Sequence, residues 1–340
     1  MTDNLKIHYE LVRGVLMSRG EDLKDVEQSF VDGMVRDFDA FLEATRNDLL
    51  RWGFVVMRKK PVGAVAGVMT GSGEAISDLT STIVATAQGY YDSDNAFNFY
   101  RQVWGGEHIH VGLYDQLVGD DSKLEGVPRI TKASSLATQE LLSRCFPPGG
   151  ADPSTCTLAD LGSGYGGTAR AAAMEYDCKV VCINVSKREN GVNDVLTEAA
   201  GLSDKVSCPG EKSFFETGMP DASCDVVLSQ DALLHAGTQR YRALGEAARI
   251  LRPSGLMVFT DIMQSEEADP RDLQEVYNRI HLDDMATPTA YEKWGKDCGL
   301  EKVEYTDMTG NMASVREVLV SRRGTLEGVE DSFVDNMARG

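Results

Sequence analysis

The residues with the clearest chemical purpose are Asp160-Leu161-Gly162-Ser163-Gly164-Tyr165-Gly166-Gly167, which follow the apolar run Thr157-Leu158-Ala159. A buried strand breaks here into a glycine-rich turn that opens a helix, a construction that brings backbone amides close to a nucleoside ligand. A structural turn or a dinucleotide site uses similar residues, so the flanking chemistry has to decide. Dinucleotide sites end the following strand on an acid that accepts the ribose hydroxyls. Here Lys179-Val180-Val181-Cys182-Ile183 ends instead at Asn184 and Val185. An amide can bond a hydroxyl, but it departs from that fingerprint. The carboxyl of Asp160, at the head of the loop, suits a cationic ligand such as S-adenosylmethionine, whose amino group and sulfonium are positive.

The elements that must hold this loop alternate. Strand patterns at 157–161, 179–184, 205–208, 224–229 and 255–261, with helical patterns at 166–176, 188–200 and 238–251, predict a parallel α/β sheet with helices on both faces. One helix is expected over 78–103, a helical lid over 269–299, and late antiparallel strands at 302–305 and 315–321. Residues 12–36 recur at 315–339 without gaps, with 15 of 25 positions identical. Such a match through one register marks a real repeat, expected to run strand, turn, helix. In the first copy a helix continues through Phe38, Phe41 and Leu42, and 51–58 reads as a strand. The chain is therefore expected to hold the tail of one domain (1–60), a linker (61–77) and a second domain (78–340) lacking its own final strand. Residues 1–60 would supply the missing helix and strand to this chain or to a symmetry mate, and the chain would be a segment of a tandem array.

The motif from Asp160 to Gly166, with Arg249-Ile250-Leu251-Arg252-Pro253-Ser254-Gly255-Leu256, resembles the class I S-adenosylmethionine-dependent methyltransferases over roughly residues 85–325. The resemblance implies their Rossmann-like seven-stranded sheet and S-adenosylmethionine as cofactor. Three further segments narrow it: Tyr90-Tyr91-Asp92 with Phe99-Tyr100, Trp104 to Tyr114, and Leu228-Ser229-Gln230-Asp231-Ala232-Leu233-Leu234-His235. Together they look like the sarcosine/dimethylglycine N-methyltransferases of glycine betaine synthesis. Phosphoethanolamine methyltransferases share the Asp-Ala-x-x-His element.

Carried across residue by residue, the resemblance makes Asp231 and His235 the acid and the histidine beside the methyl acceptor. Their spacing would set both on one helical face. Chemistry explains the need: an amine acceptor is largely protonated near neutral pH and cannot attack until it loses that proton. His108 and Tyr91 join them as catalytic candidates. Gly162, Ser163, Gly164, Gly166, Asn184, Val185, Ser213, Phe214 and Gln230 would hold the cofactor with Asp160. Tyr100 and Trp104 would cover it, since aromatic faces attract sulfonium and methylated ammonium cations. Arg279, His110 and Tyr90 are the substrate-binding candidates, Arg279 as clamp for a carboxylate. The betaine-forming relatives keep that arginine but differ at His281 and Asp283.

Composition bounds the rest. The 340 residues are 42% hydrophobic with a formal net charge of -19 and a pI near 4.7, which opposes nucleic-acid and anionic-membrane partners and favours small metabolites. Seven cysteines without CxxC pairs, no signal-like start and no run approaching the ~20 apolar residues of a membrane span point to a cytoplasmic enzyme. No metal-binding spacing or serine-hydrolase elbow is visible. A homodimer or a tandem neighbour is a further expectation. The competing functions are methylation of another small acceptor (a thioether acid of the dimethylsulfoniopropionate route, or phosphoethanolamine) and a non-catalytic cofactor-binding domain.

Overall fold

The structure, a computed structural model, describes residues 4–19, 23, 25–61, 73–104, 107–279 and 281–309. The second copy of the repeat, the expected strand at 315–321 and most of the expected linker lie outside them. Helices α1 (Asn4–Arg19) and α2 (Gln28–Arg46) precede strand β1 (Leu50–Lys59), and α3 (Gly73–Tyr91), α4 (Asp94–Val103) and α5 (Gly126–Cys145) follow. The alternating core comes next: β2 (Thr157–Leu161), α6 (Gly167–Tyr176), β3 (Lys179–Ile183), α7 (Lys187–Ala199), β4 (Val206–Ser207), β5 (Cys224–Gln230), α8 (Arg240–Ile250) and β6 (Leu251–Gln264). Short helices α9 (Gln274–Arg279) and α10 (Pro288–Asp297) lead to β7 (Leu300–Asp307).

The seven strands form one sheet in the order β4-β3-β2-β5-β6-β1-β7. Strands β2 to β6 pair in parallel, while β1 runs antiparallel to both β6 and β7. The late strand β7 therefore points the same way as the central strands, and β1 is the reversed one. The late strand expected at 302–305 is present as β7, and it pairs antiparallel, with β1. The N-terminal segment thus fills a place inside the sheet of its own chain, with Gly53 opposite Asp261 on one side and Asp307 on the other. Burial on both faces explains why β1 reads as continuous apolar sequence. Leu50, Trp52, Phe54 and Met57 are fully buried, at about 1.5–3 kcal/mol for each large apolar side chain.

Other expectations give way to local chemistry. Residues 12–18 are helical, because Leu5, Tyr9, Val12, Val15 and Leu16 recur at three- and four-residue steps and bury one face. The single helix expected over 78–103 breaks at Ser93, whose side chain accepts from the amide of Ala96 and restarts the chain as α4. The lid expected over 269–299 divides. Its turn at 281–283 reaches the site described below, whereas α10 packs on α8 and β7. No helix among the described residues is long and apolar enough to cross a membrane.

Candidate active site

Strand order reverses between β2 and β5, so a crevice opens at their carboxyl ends, where open α/β sheets place ligands. The loop after β2 runs along it. Gly162 and Gly166 have φ of 81° and 74°, and a Cβ would drive Gly162 into Ala232 and Gly166 into the side chain of Asn193. Only glycine serves at either place. Two cavities meet here. The smaller, of about 60 Å³, is lined by Gly162, Gly164, Asn184, Val185, Ser213, Phe214 and Gln230, among others. The larger, of about 300 Å³, is walled by aromatics from four helices, including Tyr9, Phe38, Tyr90, Tyr100 and Trp104. Ile83, Ala87, Tyr91, Ile109, Asp231 and His235 line both.

The shared wall carries the reactive groups. His235 sits on a short 3-10 turn, Leu233–Gln239, and its Nε2 lies 2.9 Å from the hydroxyl of Tyr91. Asp231 is not helical: it follows the last residue of β5 at φ 50°, so the pair converges from a strand end and a turn rather than along one helix face. Its carboxylate accepts from the Trp52 indole at 2.9 Å, the Val111 amide at 2.8 Å and the Thr260 hydroxyl at 2.6 Å. Burial raises its pKa while these three bonds pull it down. Asp231 is thus a fully engaged anchor that ties β1 and the 107–114 segment to the tip of β5.

The aromatic and histidine candidates sort differently from expectation. Tyr100 and Trp104 line the larger cavity and not the cleft beside the glycine loop. Trp104 is fixed there by an indole hydrogen bond to the His110 carbonyl, 3.2 Å, and by an edge contact with His8. His110 lines the larger cavity; its Nδ1 is 3.2 Å from Gln230 and its Nε2 is 3.2 Å from both Thr138 and His108. His108 lines neither cavity and packs over the start of α6. Burial lowers the pKa of His108 to about 3 and of His110 to about 4, so both rings are neutral near pH 7. Arg279 ends α9, and its side chain lies outside the described residues.

Asp160 also departs from expectation. Its carboxylate does not line either cavity; it is buried in β2 with Oδ2 unpartnered, and burial lifts its pKa to about 7. Sequence reasoning missed the acid that does line the cleft, Glu189. It accepts from the Asn184 amide at 3.0 Å, keeps Oε1 without a partner, and has its pKa raised to about 7 by burial. The signal for it was Ser186-x-x-Glu189, a helix start whose serine caps the Glu189 amide at 3.1 Å. Trp52, Tyr9, Phe38 and Phe41 were missed too, since nothing in residues 1–60 resembles a ligand motif. Among the described residues, no cluster of histidine, cysteine, aspartate or glutamate is arranged to hold a metal.

Comparison with known proteins gives the chain its relatives. The methyltransferase-domain family profile matches residues 159–259. The chain is 35% identical over 264 residues to a sarcosine/dimethylglycine N-methyltransferase of Halorhodospira halochloris, covering 76% of this chain and 88% of that protein. It is 38% identical to a glycine/sarcosine/dimethylglycine N-methyltransferase of Actinopolyspora halophila, across 74% of this chain but only 42% of that longer protein. A solved structure from Galdieria sulphuraria, provisionally named a sarcosine dimethylglycine methyltransferase, superposes with a TM-score of 0.55 at 32% identity, covering 71% of this chain and 88% of that one. Kinship at this level over most of the Halorhodospira protein settles descent: the chain belongs to the sarcosine/dimethylglycine N-methyltransferases, a family of S-adenosylmethionine-dependent enzymes.

Proposed function

We propose that the protein is a cytoplasmic N-methyltransferase that methylates sarcosine, dimethylglycine or both toward glycine betaine. The observation that carries the reading is the shared wall, where His235 and Tyr91 stand between the glycine-loop cleft and an aromatic cavity. The cleft fits S-adenosylmethionine: Gly162 and Gly164 line it with no side chain in the way, and Asn184 with the unpartnered Glu189 oxygen offers bonds for ribose hydroxyls. When bound, this cofactor supplies an electrophilic methyl group for in-line displacement. Ser213, Phe214 and Gln230 would bracket its adenine and methionine ends.

The protein's own work is then to free and aim the acceptor nitrogen. The Tyr91 hydroxyl, bonded to His235 Nε2, would accept the ammonium proton while passing its own to that nitrogen, so that the proton ends on His235. Tyr90, Tyr100 and Trp104 would receive methyl-bearing ammonium on their faces, a contact worth about 0.5–2 kcal/mol. The acids Asp231 and Asp283 on the larger cavity, with no lysine or arginine among its described lining, favour a cationic acceptor over a phosphate ester. Arg279 is the proposed carboxylate clamp. Seven free cysteines suit a reducing compartment, and a homodimer or tandem neighbour remains part of the proposal. Incubation with methyl-labelled cofactor and a panel of glycine, sarcosine, dimethylglycine, phosphoethanolamine and thioether acids tests it. Transfer to sarcosine or dimethylglycine is expected; transfer only to another acceptor, or none, would refute it.

A further inference from the structure

The turn that carries His235 has little to hold it from within. It runs Leu233–Gln239 as a 3-10 helix, a form with poor internal hydrogen bonds that is uncommon beyond three or four residues, and Gly237 breaks it at φ 52°, ψ -142°. Its fixed point is Leu234. The Leu234 amide donates to Asp261 at 3.2 Å, and the Leu234 carbonyl accepts from Arg240 Nη2 at 3.1 Å. Both backbone polar groups of the residue before His235 are thus taken by charged side chains, one from β6 and one from the start of α8. Both of those side chains are fully buried.

The same guanidinium reaches a second wall of the larger cavity. Arg240 Nη1 donates to the Asp284 carboxylate at 2.7 Å, and Nη2 donates to the Asp284 carbonyl at 2.7 Å. Asp284 directly follows His281, Leu282 and Asp283, which line that cavity together with Leu234 and His235. Arg240 itself lines neither cavity. On its other oxygen Asp261 accepts from the buried hydroxyl of Tyr291, so α10 braces the cluster as well. A planar fork directs donors at both turns at once, whereas an ammonium on a flexible stem is a point charge without that geometry.

Given the role proposed for His235, on which this rests, we infer that Arg240 is a positioning residue that fixes the His235 turn against the 281–284 turn. It sets the spacing between the group that receives the proton and the wall against which the acceptor sits. Arg240 touches no substrate. Its effect on turnover passes through Leu234 to His235, and its effect on acceptor binding passes through Asp284 to His281, Leu282 and Asp283. A shift of about 1 Å in such a site costs on the order of 10²-fold in rate.

Arg240→Lys keeps the buried charge and loses the fork. Its kcat with sarcosine or dimethylglycine should fall by about 10–100-fold, while cofactor affinity by calorimetry stays within about threefold. The same substitution is then made in a His235→Ala background and followed in single turnovers with methyl-labelled cofactor. Residues that act as one unit are non-additive, so Arg240→Lys should there change the rate by less than about twofold. Undiminished kcat in the single variant would overturn the inference. So would an equal fall with and without His235, which marks a general loss of structure. If Arg240→Lys does not fold, Asp284→Asn carries the test, because that side chain is half-exposed and its backbone carbonyl still accepts from Arg240. It should raise the acceptor KM by about 3–10-fold and leave kcat within about twofold; an unchanged KM would overturn the inference. Should the parent methylate a different acceptor, the proposed function fails while these variants are read with that acceptor.

Discussion

The two cavities are built in opposite ways. The cleft beside the glycine loop draws most of its lining from residues 162–235, a continuous βα alternation whose contributions come from the loops and helix starts that follow β2, β3, β4 and β5. The larger cavity takes its walls from residues as far apart as Tyr9 and Asp283, and its aromatic side comes from helices that precede the parallel core. One is a property of a local motif, the other of the whole fold. A conserved kind of ligand can be held by the first while the second is free to be rebuilt for a different acceptor.

Removing the group between them should separate the two most sharply. His235→Ala is expected to lower kcat by about 10²–10⁴-fold, the usual contribution of a positioned base. Cofactor affinity, measured by calorimetry, should stay within a few-fold. A variant with undiminished turnover would take His235 off the list of catalytic groups. Trp52→Phe probes the anchor instead. It leaves one Asp231 oxygen without its indole donor, a loss of about 1–3 kcal/mol in chemical denaturation, and turnover should fall with it. Stability lost without any change in kcat would show that Asp231 is only structural.

The acid of the cleft makes a pH-dependent contrast. The Glu189 pKa rises on folding from 4.5 to about 7, so its contribution to stability is fully present below about 4.5 and is lost as pH rises through 7. Glu189→Gln should therefore gain stability relative to the parent at pH 8 but not at pH 4, while binding the cofactor more weakly. His108 and His110 work in the other sense: their depressed values give stability above pH 6.5 that is lost as pH falls through about 4 for His110 and about 3 for His108. A flat difference between Glu189→Gln and the parent from pH 4 to 8 would remove the buried charge from the account. The smallest effect is expected for Tyr100→Phe, which deletes the 3.2 Å contact between the Tyr90 and Tyr100 hydroxyls. It should raise the acceptor KM a few-fold, about 0.5–1.5 kcal/mol, and leave cofactor affinity alone.

The same division governs what could be read from residues alone. The glycine loop and the alternation around it are local patterns that carry through to the structure; the Asp231 to His235 spacing brings both to the site, but from a strand end and a 3-10 turn instead of one helix face. Glu189 was legible in principle through its capping serine, but the familiar ribose acceptor is an acid at the strand end, where this chain has Asn184. Trp52 was not legible, since its indole meets Asp231 only after a strand 179 residues distant is laid beside it. Tyr100 and Trp104 were read as aromatic ligand contacts, and which cavity they face depends on the break at Ser93, a single cap within a continuous helical pattern. The reversed direction of β1 is likewise a matter of topology that no residue states.

That reversed strand has a consequence for how the chain is made. Leu50 to Lys59 leave the ribosome early, but their partners on either side are β6 and β7, the nearest of them about 200 residues later. At 5–20 residues per second, β1 waits roughly 10–40 s for the first partner to emerge. Throughout that interval a ten-residue strand with the apolar centre Trp52 to Met57 has both edges open, the state most prone to wrong pairing. Closing the sheet is then among the last events of folding, and a nascent chain stalled before Leu251 would present β1 as a handle for holding chaperones.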